Sequence, residues 1–327
     1  MTRALIHIGY PKTATTTLQD RWLFPAHEAD LITFFGKYTG EISPGSDFEP
    51  VLLRNVLDDE ARLIDRASLS GDNTNVFSDE RMTLPALLKR NSPYKHRESI
   101  NPYDVPKLLK RATEGIDDLT ILLTVRNQQS IMNSMYAHYH YYLADHREYD
   151  SWQSYLGREL AAEPSIFNFA ALLDRYAEYF DRTELQVCLF EEFVNERESF
   201  TDRLANLLSV DCDALAEVVV TDAHENKKEK REDAYIKRMG TGPAHTVRNV
   251  INSVYSVHEA EELVERIIGE EWTKQVKQQL FMTDVEIKRP DKEQKEQIFD
   301  CFEASNEGLA QDFGVDRDLL LKYSYVQ

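Results

Sequence analysis

Cysteine is scarce in this sequence. Cys188, Cys212 and Cys301 are odd in number and far apart, with no CxxC spacing. That speaks against a disulfide framework and against a structural zinc site, and leaves buried thiols as the expectation. Long apolar runs are also missing: no 18-residue apolar span occurs, and Met1 leads past one Arg straight into a short strand-like run. Neither a membrane span nor a signal peptide is expected, and a cytoplasmic location follows. Positive charge is the third shortage. Lys and Arg total 38 against 57 Asp and Glu, a formal net charge of -19, which disfavours a general role on nucleic-acid backbone. An anionic ligand must then be met by a local cluster of cations and backbone N–H groups.

With 42% hydrophobic and 29% charged residues in 327, the composition is that of a globular protein with a substantial core. Ala4 to Ile8, Asn75 to Ser78, Leu119 to Val125 and Leu185 to Phe190 are short apolar runs that read as buried strands. Helical patterns fall between them, from near Thr15, from Val105, from Gln128 to about Leu143, from Ser151 to Leu160, from Phe167 to Tyr179 and from Glu192 to Leu208. A further helix is plausible from Pro50 to Ala67, whereas the rest of Ile32 to Asp72 is mixed. Beyond Ala223 the pattern is helical and charged, best at Ala260 to Ile268 and Asp291 to Phe313. The alternation predicts an α/β fold: a mostly parallel central sheet flanked by helices over about residues 1–208, with a helical part over about 209–327 in one domain.

Gly9-Tyr10-Pro11-Lys12-Thr13-Ala14-Thr15-Thr16-Thr17 lies between the first strand and the first helix. There the N–H groups of a helix start have no intrahelical acceptor and favour an anion. Lys12 adds a point charge, and Thr13, Thr15, Thr16 and Thr17 add hydroxyl donors. The loop is not a Walker A sequence, because Lys12 stands three residues after Gly9 with no Gly directly before it. A second candidate anchor is Arg126, which closes the strongest strand, with Ser134 two helical turns beyond it. Arg suits a phosphate because its planar fork can bind two oxygens and stays charged. Strand ends of this kind are where open α/β sheets bind ligands.

The first loop resembles the 5′-phosphosulfate loop of sulfotransferases that use 3′-phosphoadenosine-5′-phosphosulfate (PAPS), in which a Pro-Lys-Thr-Gly-Thr-Thr type sequence follows the first strand. Ala14 stands where that pattern has Gly, which suggests an ordinary α-type φ at this residue; a required positive φ would impair binding. Leu122 to Asn127 with Ser134, Met135 and Tyr136 resembles the family's 3′-phosphate element. Ser305-Asn306 with Leu309, Ala310, Phe313 and Gly314 is similar to the terminal helix of bacterial carbohydrate sulfotransferases. The resemblance implies a fold like that of the P-loop-containing nucleotide hydrolases. It also implies PAPS as sulfuryl donor, held by Lys12, residues 13 to 17, Arg126 and Ser134, and no metal.

It further implies in-line transfer to an acceptor hydroxyl, with a carbohydrate as the leading class. Lys12, with Thr16 and Thr17, would stabilise the leaving phosphate. Glu80 ends the segment Ser78-Asp79-Glu80 and is the candidate base. His7, inside the first strand, reads as a satisfied core histidine. His138, His140, Tyr142 and His146 are candidates for lining an acceptor cleft, against the alternative of an ordinary helix surface with a buried Tyr face. Lys227, Lys228, Lys230 and Arg231 form a basic cluster that reads as a solvated face or as a contributor on the cofactor's 3′ side. Two other readings stay open, a nucleotide-dependent phosphotransferase and a non-catalytic nucleotide-binding protein of the same fold.

Overall fold

The structure is a computed structural model, and it describes residues 1–36, 69–78, 82–83, 102–143, 151–219, 234–240 and 282–327. Five strands, β1 (Arg3–His7), β2 (Ile32–Gly36), β3 (Thr74–Ser78), β4 (Asp118–Val125) and β5 (Leu185–Leu189), form one sheet in the order β2-β3-β1-β4-β5. Every pair is parallel. Parallel strands need crossovers that cover both faces, so residues of both parities must be apolar. The packing shows this directly. Ala4, Ile6 and Ile8 lie in one core cluster with Ile121, Leu123 and Val187, whereas Leu5 lies in a second with Val76, Leu122 and Cys188.

The helical run after β1 falls on the second face. It comprises α1 (Thr15–Leu18), a π-helical turn (Gln19–Leu23) and α2 (Phe24–Glu28), and it packs through Leu18, Trp22 and Leu23. Helices α3 (Val105–Ala112), α4 (Gln128–Leu143), α5 (Trp152–Ala161) and α6 (Phe169–Ala177) lie on the first face. The chain thus leaves β1 toward one face and β4 toward the other. The C-terminal ends of these neighbouring strands flank the crevice where open α/β sheets take ligands.

After β5 the chain forms α7 (Phe190–Asn195), α8 (Arg197–Leu208) and α9 (Cys212–Val218). The single helix expected from Glu192 to Leu208 is therefore divided, at Glu196, whose φ of −134 and ψ of 56 are not helical. Helix α10 (Lys292–Phe313) starts from a capping box of Asp291 and Gln294, and α11 (Arg317–Lys322) follows. Ile298, Phe302 and Leu309 of α10 belong to the first core cluster.

Some expectations need correction. Ile32–Gly36 is a strand at the sheet edge, although its short run was hidden among breakers. The part beyond Ala223 also carries an antiparallel pair, β6 (Ala234–Gly240) with β7 (Met282–Lys288), in which Tyr235 opposes Ile287 and Lys237 opposes Val285. Val285 and Ile287 alternate with Asp284 and Glu286, a period of two inside a charged stretch. Of the free cysteines only Cys188 is buried; Cys212 is half-buried and Cys301 exposed. The expected helices at Pro50 to Ala67 and Ala260 to Ile268 lie outside the described residues. Among the described residues no helix is long and apolar enough to cross a membrane.

One glycine is fixed by close approach. A Cβ on Gly9 would stand 2.6 Å from His7 Nε2 and 3.3 Å from the Thr124 Cβ. His7 is itself buried and hydrogen-bonded on both ring nitrogens, so it cannot yield cheaply. Gly9→Ala is expected to lower unfolding free energy by about 2 kcal/mol, as overpacked core sites do, read as a lower urea midpoint.

Candidate functional site

The turn after β1 is built around the carbonyl of Tyr10. That oxygen accepts the Thr13 N–H at 3.2 Å, the Thr13 hydroxyl at 2.5 Å and the Thr15 hydroxyl at 3.2 Å. Tyr10 is anchored in turn: its N–H donates to Thr124 O at 3.2 Å, its phenol donates to Ile166 O at 2.5 Å, and its ring packs edge-on against Phe169. Thr13 and Thr15 are both buried, Thr16 is exposed and Thr17 half-buried. The hydroxyls of Thr13 and Thr15 are therefore committed to shaping the loop. The candidates to face a ligand are the hydroxyls of Thr16 and Thr17 and the first-turn N–H groups of α1, which no intrahelical carbonyl can reach.

The backbone of this loop is strained. Lys12 has φ 74, and Ala14, at the N-cap of α1, has φ 58 and ψ 27. The expectation of an α-type φ at Ala14 is thus overturned: the residue occupies the left-handed region that glycine takes without penalty. For an L-residue that conformation costs about 1 to 2 kcal/mol, because Cβ crowds the following carbonyl. The three bonds to Tyr10 O hold the loop against this cost.

Arg126 follows β4 and turns back to the same loop. Its Nη1 donates to Lys12 O at 3.0 Å, its Nε donates to Ser130 Oγ at 2.7 Å, and its guanidinium lies 4.4 Å from the centre of the Phe190 ring. The two predicted anchors are thereby joined through one backbone carbonyl. Ser130 was not singled out from the sequence; its position four residues after Arg126 was the available signal, since such pairs face each other at a helix start. Ser134 is half-buried one turn further along α4.

Beneath the loop lies a polar network that spans three strands. His7 Nδ1 is 2.8 Å from Ser78 Oγ on β3, and Nε2 is 2.8 Å from Thr124 Oγ1 on β4. Gln19 donates to the Ser78 hydroxyl at 2.8 Å and to the Ser78 carbonyl at 3.1 Å. Burial pushes the His7 imidazole down to about 4, so at neutral pH it is uncharged and satisfied in the core, as the sequence suggested.

The other end of the site is closed by polar ties to α10 and to the segment after α11. Gln128 and Asn306 form a reciprocal amide pair at 2.7 and 3.1 Å, and Asn306 also donates to Tyr325 O at 2.9 Å. Ser305 donates to Asn168 Oδ1 at 2.7 Å. The Ser305-Asn306 pair thus joins the terminal helix to the strand-end face of the sheet.

Glu80 lies outside the described residues, two positions beyond Ser78, as do His146 and the cluster from Lys227 to Arg231. Positions 138, 140 and 142 are in α4, where the helix backbone continues to Leu143. Tyr136 on that helix is buried against Trp152 and Tyr155. Among the described residues no group of His, Cys, Asp and Glu is placed to hold a metal ion.

The chain matches no protein-family model and no curated protein. Among solved structures it is similar to a sulfotransferase from Alicyclobacillus acidocaldarius, at 19% identity and a TM-score of 0.43, over 69% of this chain and 87% of that one. It is also similar to mouse sulfotransferase SULT7A1 complexed with PAP, at 14% identity and a TM-score of 0.36, over 66% of this chain and 62% of that one. At such distances neither match assigns an activity.

Two outcomes follow from the loop and its floor. The ordinary imidazole value is 6.5 and the folded one about 4, so the unfolded chain binds more protons in between. The stability His7 confers is complete above pH 6.5 and is lost as pH falls toward 4. Between pH 7 and 4.5 this amounts to about 2 to 3 kcal/mol, and His7→Gln should show a correspondingly smaller drop in urea midpoint over that range. Ala14→Gly relieves the left-handed strain and should raise the melting temperature by about 2 °C, measured by differential scanning fluorimetry.

Proposed function

We propose that this protein is a sulfotransferase that uses PAPS, with the two phosphate groups of the nucleotide held at the ends of β1 and β4. The observation that carries this reading is the hydrogen bond from Arg126 to Lys12 O. It sets a cation beside the start of α1, where Thr16 is exposed, in a chain of net charge -19 that otherwise repels such a ligand. The donor set fits a nucleotide with two separate phosphates: first-turn N–H groups, Lys12, Thr16 and Thr17 for one, and Arg126 with Ser130 and Ser134 for the other.

PAPS, when bound, supplies an activated sulfuryl group whose departure leaves negative charge on the 5′-phosphate. Lys12 and the N–H groups of residues 15 to 17 stabilise charge at that position, and the N–H groups are oriented before reaction because the loop backbone is already fixed on Tyr10 O. Arg126 orients the nucleotide through its other phosphate and thereby sets the distance to the acceptor. Glu80 takes the acceptor proton; it follows Ser78, which is tied to His7 at the floor of the site. We take a carbohydrate hydroxyl as the acceptor class, with positions 138, 140 and 142 of α4 along the acceptor side. The chain acts as one sulfotransferase domain, a reading supported by the shared core of the sheet and α10.

The test is transfer of labelled sulfate from PAPS across a panel of glycans and small alcohols. Wild-type protein should label at least one acceptor, and Lys12→Ala should reduce the rate by about 100-fold or more. In fluorimetry, 3′-phosphoadenosine-5′-phosphate (PAP) should raise the melting temperature while ATP with magnesium does not, and Arg126→Ala should abolish most of that rise. A protein stabilised by ATP with magnesium and not by PAP would instead be a phosphotransferase.

A further inference from the structure

Glu191 lies behind the second anchor. It occupies the first turn of α7, next to the Phe190 whose ring underlies the Arg126 guanidinium. Its two oxygens have separate partners: Oε1 accepts the Asn127 N–H at 3.1 Å and Oε2 accepts the Tyr325 hydroxyl at 2.9 Å. Asn127 also donates its side-chain amide to Ser324 O at 2.7 Å and to Tyr323 O at 3.3 Å. A half-buried carboxylate is therefore held in place on the Arg126 side of the turn by the N–H of Asn127 and by a phenol from another segment.

Building on the PAPS reading, we propose that Glu191 is a positioning residue that offsets the charge of Arg126 and so weakens the hold on the nucleotide's 3′-phosphate, letting spent PAP leave. Among the described residues, Arg126 is the opposite charge that acts on the carboxylate. A phosphate that takes up the Arg126 charge also faces the charge of Glu191, at a place where burial reduces screening. Burial raises the Glu191 carboxyl above the ordinary carboxylate range, against the opposing pull of the Asn127 N–H, the Tyr325 hydroxyl and Arg126.

Among the described residues, the neighbouring ionisable groups are engaged elsewhere. Glu192, next on the same helix, pairs with Arg203 at 3.2 Å, and Glu196 pairs with Lys322 at 2.8 Å and accepts the Tyr323 hydroxyl. Lys12 meets Arg126 through its carbonyl on the loop side. Tyr325 is buried and its phenol is held far above its usual range by burial and by Glu191, so it stays neutral and donates.

The test is calorimetric titration of PAP and of 5′-AMP, which lacks the 3′-phosphate, into wild type and Glu191→Gln from pH 5 to 8. Glutamine keeps the acceptor for Asn127 and the size of the side chain, removes the charge, and reverses the second bond, its NH2 donating to the Tyr325 phenol oxygen. At pH 8 the variant should bind PAP on the order of tenfold more tightly than wild type and 5′-AMP equally well. The difference should shrink as pH falls, because wild type gains a proton and comes to resemble the variant; comparing the two proteins at each pH cancels the ligand's own titration. Equal or weaker PAP binding by the variant at pH 8, with an unchanged melting temperature, overturns the proposal and leaves Glu191 as a fastener of the turn. Should Glu191→Gln not fold, Glu191→Ala decides: it removes the charge outright and should tighten PAP severalfold at pH 8, and unchanged or weaker binding overturns the proposal. A wild type that does not prefer PAP to 5′-AMP removes the PAPS reading and this inference together, whereas a preference that Glu191→Gln leaves untouched removes only the inference.

Discussion

The carbonyl oxygen of Tyr10 is the point on which the site depends. Three donors from Thr13 and Thr15 converge on it, and they hold a turn whose Lys12 and Ala14 both sit at positive φ. Such a backbone persists only where its surroundings over-determine it. Tyr10 itself is tied to β4 through Thr124, to Ile166 through its phenol and to Phe169 through its ring. Because the loop is fixed from within, its remaining N–H and hydroxyl groups need no reorganisation to meet an anion, which is the condition under which fixed dipoles stabilise charge most.

The same economy explains the floor and the rear of the site. Three strands end beneath the loop, and His7 joins them by reaching Ser78 and Thr124 with one neutral ring. A charged group could not sit there without a large desolvation cost, and Gly9 leaves the space the ring requires. Among the described residues, charge enters higher up, where Arg126 spans Lys12 O, Ser130 and the Phe190 ring. Behind it, Glu191, Asn127, Asn306 and Tyr325 form a hydrogen-bonded wall in which the polar partners are paired.

Much of the fold was legible because both faces of the sheet are covered. Runs such as Leu119 to Val125 are apolar at both parities and leave little ambiguity. Ile32–Gly36 was missed because an edge strand of five residues before a stretch rich in Gly and Pro carries a weak signal. The pair β6 and β7 was missed because its alternation sits among Lys, Arg, Asp and Glu, and charge masked the period of two. At the site, Lys12 and Arg126 were visible as unusual cations at strand ends. Ser130 and Glu191 were not, since their meaning depends on which strand ends become neighbours. Thr13 and Thr15 read as ligand donors in the sequence, whereas their hydroxyls turn inward onto Tyr10 O. The φ of Ala14 was misjudged for a physical reason: residue type argued against the left-handed region, and tertiary bonds to Tyr10 O overrode it.

In the proposed reading, one nucleotide bridges the ends of β1 and β4 with a phosphate at each. A crystal structure of the protein with PAP tests it most directly. Density is expected for the 5′-phosphate against Lys12 and the N–H groups of residues 15 to 17, and for the 3′-phosphate against Arg126 with Ser130 or Ser134. A nucleotide bound elsewhere, or one whose 3′-phosphate points away from Arg126 into solvent, would contradict it.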